Sequence, residues 1–127
     1  MNGNKLAINN GINSESIVKN AFMNEDVEIL NDLIDIKING KFVEIKSCLE
    51  NVRDNSFFKG FRNGRFNLNK EQHDFLVDNN GYYQFVLNSL DHVIGSKLYY
   101  SVRMKFVKAN SLEFQKLIMW KKIFDGE

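Results

Sequence analysis

The sequence predicts an α/β protein, a central mixed β-sheet of about five strands flanked by helices, on three observations. Asn39-Gly40 sits between alternating apolar residues and is a strong two-residue hairpin signal, because a type I′ turn needs positive φ at both central positions. Helix-start signals and helical apolar spacing occur near both ends of the chain and once in its middle. Tyr82 to Leu87 and Tyr99 to Val107 are rich in the β-branched and aromatic residues that suit strands. With 127 residues, 43% of them hydrophobic and 26% charged, the chain suits one domain over residues 1–127 with a real core.

The elements follow in order. Asn13 or Ser14 can cap a first helix running to about Met23, with Ile17, Val18, Ala21 and Phe22 as its apolar face. Val27 to Leu30 predicts a short strand. The hairpin of residues 32–47 comes next, pairing Ile38 with Lys41, Ile36 with Val43 and Asp35 with Glu44. Residues 49–66 show no clear periodicity and read as a loop or flap. Leu68-Asn69-Lys70-Glu71-Gln72 marks the start of a second helix, and Gly81 suits the position just past its end. Tyr82 to Leu87 is a strand, a loop containing Gly95 follows, and Tyr99 to Val107 alternates with Val102, Met104 and Phe106 on one face. Ser111 can cap a last helix to about Phe124, with Phe114, Leu117, Ile118 and Trp120 among its apolar residues.

The hairpin carries the chemistry. Strand side chains alternate between faces, so Ile34, Ile36, Ile38, Val43 and Ile45 share one face, which reads as core. Asp35, Lys37, Phe42, Glu44 and Lys46 share the other. Asp35 then lies across from Glu44, and two opposed carboxylates repel. A divalent cation between them removes that repulsion. The plainer alternative is a solvated polar face with cross-strand Lys–acid pairs.

Asp35 followed by Glu44-Ile45-Lys46 resembles the core motif of the PD-(D/E)XK nucleases, an acid near the end of one strand and E-x-K on the next. Ile34 stands where that motif usually has Pro, and the chain contains none. The order of elements resembles the restriction-endonuclease-like fold over nearly the full length. The resemblance implies a divalent metal, Mg²⁺ with Mn²⁺ as substitute, held by Asp35, Glu44 and the backbone carbonyl of Ile45. It implies that Lys46 approaches the attacking water and the scissile phosphate, with Lys37 a competitor for that part. It also expects a Glu on the preceding helix. Glu15 borders the apolar stripe there, although the helix dipole alone favours a Glu in a first turn. Glu25 and Glu28 are fallback candidates. Gln72 matches the Gln that archaeal junction resolvases carry on the helix after E-x-K, and Asn69 and Gln72 also have the spacing of a capping box.

Charge is unevenly spread although the net value is only +1. Between Phe22 and Ile36 stand five acids and no base, whereas residues 51–70 carry Arg53, Lys59, Arg62, Arg65 and Lys70 against Asp54 alone. Residues 95–122 carry seven Lys or Arg against Glu113 alone. An acidic pocket flanked by basic segments suits an enzyme acting on a polyanion. In the run from Phe57 to Phe66, bases can contact phosphates while aromatics stack on bases or pack in the core. The expected DNA contacts are Arg53, Lys59, Arg62, Arg65 and Lys70. His73, His92 and Cys48 lack partners at functional spacing and read as incidental.

No apolar run is long enough to span a membrane, and MNGNKLAINN lacks the apolar region of a signal peptide. The single Cys48 excludes an internal disulfide and fits a reducing, intracellular compartment, hence a cytoplasmic protein. The resemblance implies a metal-dependent DNA endonuclease, most like a small archaeal or viral Holliday junction resolvase acting as a homodimer on four-way junctions or duplex. A small restriction or homing endonuclease is the nearest rival. Two rivals of another class are a non-catalytic nucleic-acid-binding module with the nuclease fold and a metal-free interaction domain using the Phe-rich segment.

Overall fold

The computed structural model describes residues 18, 20–22, 25–30, 32–54 and 60–124, with backbone alone at 52–54 and 60–62. The elements are β1 (Val27–Ile29), β2 (Ile36–Ile38), β3 (Lys41–Leu49), β4 (Asn51–Asp54), β5 (Gly60–Asn63), β6 (Arg65–Asn67), α1 (Lys70–Asp78), β7 (Tyr82–Ile94), β8 (Lys97–Lys108), a 3-10 turn (Ala109–Ser111), β9 (Leu117–Met119) and α2 (Trp120–Phe124). Five strands form one mixed sheet in the order β1-β2-β3-β7-β8. Its β3–β7 pair is parallel and its other pairs are antiparallel. Two short ribbons, β4–β5 and β6–β9, complete the described strands.

Ile36 stands opposite Val43 and Ile38 opposite Lys41 as expected, but the ladder ends there: β2 begins at Ile36, so Asp35 is not a ladder partner of Glu44 and meets it through side-chain bonds instead. Asn39 and Gly40 turn it at φ 51° and 81°, the positive values that a type I′ turn requires. Asn39 also accepts a bond from the Asp26 amide at 3.0 Å through its side chain, which ties the turn to β1.

Apolar clusters lie on both sides of the sheet around β3 and β7. Ile36, Ile38, Val43, Ile45 and Val86 pack with Val18 and Phe22 on one side. Tyr83, Phe85 and Leu87 lie on the other, under Leu76 of α1 and the Phe66, Ile118, Ile123 and Phe124 side chains. Ile34 joins this second cluster rather than the first. Residues 32–34 bend before β2 begins, so strand alternation does not run back to Ile34.

Four further expectations are corrected. Of the expected loop at 49–66, residues 51–54, 60–63 and 65–66 lie in β4, β5 and β6, and 55–59 lie outside the described residues; the mixed polar sequence carries little period-2 signal, and cross-strand pairing supplies what propensity does not. The strand starting at Tyr82 runs on to Ile94, and the loop at Gly95 shrinks to a tight turn with Gly95 at φ 61°. The last helix is confined to Trp120–Phe124, because Leu117–Met119 pair with β6 and bury Ile118 against Phe66. Ser111 accordingly bonds the Lys108 carbonyl at 2.7 Å and caps no helix. Past α1, the left-handed residue is Asn80 at φ 54°, while the Gly81 amide closes back on the Leu76 carbonyl at 2.7 Å. Gly81 is needed for closeness instead: a Cβ there would meet Leu76 Cδ2 at 2.6 Å and the Phe42 carbonyl oxygen at 2.9 Å.

Val18 and Phe22 keep an i to i−4 backbone bond of 3.1 Å, but the rest of the expected first helix, including its cap and Glu15, lies outside the described residues. No described helix is long and apolar enough to cross a membrane.

Candidate active site

β2 stops at Ile36 on one side of β3, while β7 accompanies β3 as far as Leu49 on the other. From Glu44 onward, β3 therefore has an edge without a β2 partner, and Asp35 sits at that opening. Both carboxylates accept backbone N–H bonds across it. The Asp35 amide donates to Glu44 Oε1 at 3.1 Å, and the Ile45 amide donates to Asp35 Oδ2 at 3.0 Å. The Asp35 side chain thus takes the place of the missing ladder partner. A strand residue turns its N–H and C=O to the same side, so the Ile45 carbonyl faces the same opening.

Glu44 is only 3% exposed, and its strand neighbour on β7 is the fully buried Tyr83. Burial and then the neighbouring Asp35 charge push the Glu44 carboxyl up to about 7, with Lys46 pulling the other way. Lys46 Nζ stands 3.3 Å from Glu44 Oε2 and donates to Gln72 Oε1 at 2.9 Å. The Gln72 amide nitrogen of the side chain donates in turn to the Leu33 carbonyl at 2.9 Å. Gln72 reaches this point because its own backbone amide is fixed by the Asn69 side chain at 3.0 Å in the first turn of α1. Its capping and site-facing roles therefore coexist.

Behind Gln72, α1 is seated by a buried polar pair. His73 Nδ1 meets the Tyr83 hydroxyl at 2.9 Å, and the two rings stack at 5.9 Å. Burial lowers the His73 pKa and raises that of Tyr83, so both are held neutral. His73 is thus a structural residue rather than an incidental one. Nothing in the sequence distinguishes it, because its partner lies ten positions on, in another element. The Leu33 carbonyl has no sequence signal for the same reason, since Gln72 lies in another element.

The donor set suits a hard divalent cation. Two carboxylates, one of them deeply buried, share an opening that also receives a backbone carbonyl, and Mg²⁺ and Mn²⁺ prefer oxygen ligands of this type. Among the described residues no third acid, His or Cys joins them. The outer bases are placed less tightly. Arg65 is exposed on β6, and Lys70 is held by Asp74 at 3.0 Å and lies over the Phe114 ring at 5.0 Å. Arg53 and Arg62 occupy the β4–β5 ribbon by backbone, with Val52 opposite Arg62 and Arg53 opposite Phe61. Lys59 lies outside the described residues. Of the Phe-rich run, Phe66 is fully buried beside Phe85 at 4.7 Å. Cys48 is buried too, which pushes its thiol up to about 12 and leaves it unreactive.

An acid at a strand start, E-x-K on the neighbouring strand and a helix behind them therefore occur in one opening. The family model of the PD-(D/E)XK nuclease superfamily domain matches residues 2–123. The chain belongs to the PD-(D/E)XK nuclease superfamily. The match spans all the described elements up to Ile123, and the mixed five-stranded sheet flanked by helices agrees with the restriction-endonuclease-like fold of this superfamily. No curated protein and no solved structure matches the chain. As a PD-(D/E)XK nuclease domain it is expected to act on nucleic acid with a divalent metal, and the Asp35 and buried Glu44 carboxylates are suited to that chemistry.

Proposed function

We propose that this PD-(D/E)XK domain is a Mg²⁺-dependent DNA endonuclease that selects its substrate by structure, cutting four-way junctions as a homodimer in the cytoplasm. The observation that carries the reading is the Glu44–Lys46–Gln72 chain beside Asp35. An acid pair with one buried member, Glu44, stands within one side chain's reach of a cation fixed at its head group, a setting that favours a dication. Asp35, Glu44 and the Ile45 carbonyl would hold Mg²⁺ or Mn²⁺, with Glu15 completing the set. Bound there, the metal supplies a Lewis acid and a water of lowered pKa.

The chain's own residues do the rest. Gln72 and Glu44 both hold Lys46, so the ammonium is restricted in the rotamers it samples. In that position it offsets negative charge developing on the scissile phosphate. The Asp35 amide bond to Glu44 and the Ile45 amide bond to Asp35 hold both carboxylates in place before substrate arrives. Arg53, Lys59, Arg62, Arg65 and Lys70 would contact phosphates, which positions DNA without reading its sequence. Hydrolysis would leave 5′-phosphate and 3′-hydroxyl ends. The Gln72 position on α1, bonded to Lys46, favours junctions over a fixed recognition sequence.

The deciding experiment compares the parent protein with Glu44→Ala on four-way junction, linear duplex and single-stranded DNA, with Mg²⁺ or Mn²⁺. The parent should cut the junction fastest, and Glu44→Ala should lose on the order of a hundredfold or more. Equal cutting of duplex at one sequence would favour a restriction or homing enzyme. Binding without cutting by the parent would favour a non-catalytic module.

A further inference from the structure

We propose that one face of the β7–β8 ribbon is the surface through which two copies of this chain pair. Leu98, Tyr100, Val102, Met104 and Phe106 recur at every second residue along β8, so their side chains share one face. Leu90 and Val93 join that face from β7, opposite Tyr100 and Leu98. Strict alternation of this kind is the pattern of a strand with one buried side. Yet all seven residues are between 36% and 55% exposed.

The ribbon also outruns its support. β3 accompanies β7 only to Asn88, so the strands continue as an arm of two strands to the turn at Gly95. Six residues past Asn88 amount to about 20 Å of projection. A two-stranded hairpin alone is marginal in water, and this one leaves Leu90, Val93, Leu98 and Tyr100 exposed, while at the supported end of the row Phe106 packs in part against Phe22 and Tyr82.

The occupant that fits is a second copy. The row lies on one strand with Val102 at its middle, so a two-fold axis there maps the row's sequence positions onto themselves, which is the condition for an isologous contact. Tyr100 would then face the partner's Met104, and Leu98 the partner's Phe106. At roughly 200 Å² for a large apolar side chain, the exposed parts come to on the order of 600 Å² per chain, close to the lower bound for a specific dimer. The row contains no charged residue, so self-pairing sets no like charges against each other. Pairing through the β8 edge is disfavoured, because Lys97, Arg103, Lys105 and Lys108 punctuate that strand. A cavity of about 410 Å³ lined by Leu49, Glu50, Asn51, Asn88, Leu90 and Tyr100 opens along the same row and gives a partner side chain somewhere to seat. The row lies on the Val86 face of the sheet, away from Glu44 and Lys46, so pairing leaves both sites open.

This inference adds a surface to the homodimer proposed above and is tested without reading cleavage. Light scattering during gel filtration should give the parent twice the 14.8 kDa chain mass. Val102→Glu should give the single-chain mass with an unchanged circular dichroism spectrum. Val102→Cys should form a disulfide between copies under mild oxidation, whereas Lys105→Cys, on the opposite face, should not. A parent of single-chain mass up to its solubility limit overturns the proposal. So does a dimer that survives Val102→Glu and fails to cross-link at Val102→Cys.

Discussion

Glu44 ties the acid chemistry of the proposed site to the stability of the fold. Its carboxyl is pushed from 4.5 to about 7 by burial first and by Asp35 second. A group whose folded pKa is raised contributes stability that is full below the unfolded pKa and is lost as pH rises through the folded one. Metal-free protein should therefore lose on the order of 2–3 kcal/mol from this residue between about pH 4.5 and 7. The lowered His73 works in the opposite sense, losing stability as pH falls. Thermal melts of parent and Glu44→Gln in chelator across this window isolate the Glu44 part: the parent should fall relative to the variant as pH rises, and Mn²⁺ should recover the parent above pH 7 only. Parallel curves for the two proteins would remove Glu44 as the linked group. Gln72→Met offers a second check. It keeps the bulk of the side chain and the Asn69 cap but frees Lys46, so turnover should drop about tenfold to a hundredfold with little change in melting temperature. Asp35, Glu44 and Lys46 were legible in the sequence because a two-residue turn fixes register, and register fixes which side chains meet. Their link to Gln72 was legible only through the family resemblance. No local rule brings a helix residue to a strand twenty-six positions away.

At the scale of elements, the close approaches matter more than the propensities. Gly64 sits where β5 gives way to β6, and a Cβ there would lie 1.7 Å from the Leu49 carbonyl oxygen. Backbone cannot yield by that much. Gly64→Ala should cost about 2–4 kcal/mol or prevent folding, read as a fall in urea midpoint. Gly40→Ala has open space around it and only the positive φ against it, so about 1 kcal/mol is expected. Comparable losses for the two would mean that β3 and the β5–β6 junction do not touch as described. The elements legible in advance were those whose signal is local: the Asn39-Gly40 hairpin, the Asn69 cap, the run from Tyr82. The final helix was misread because Phe114, Leu117, Ile118 and Trp120 fit a helical face and a strand alike. What decides between them is the unpaired edge of β6, which takes Leu117–Met119 as its partner. The β4–β5 ribbon was unreadable because Asn51–Asp54 and Gly60–Asn63 offer almost no alternation.

On the scale of the whole molecule, the Val102 face and the Glu44 site lie on opposite sides of one sheet, so association and chemistry can be separated. Val102→Glu should still nick supercoiled plasmid at a rate close to the parent's. Its second cut of a four-way junction within a single binding event should fall severalfold, as read by the ratio of paired to single cleavages. An unchanged ratio would mean that one copy serves both strands in turn. The only parallel pairing in the main sheet, β3 with β7, has a consequence for how the enzyme is made. Val43 meets Tyr82, and Lys46 meets Phe85, across nearly forty residues of intervening chain. A ribosome therefore releases the strand bearing Glu44 and Lys46 well before the strand that holds it in place. Closing that loop is the slow, non-local step of folding. Until it closes, Glu44 has no buried setting and Lys46 no fixed position, so a half-made chain emerging beside nucleic acid cannot yet cut it.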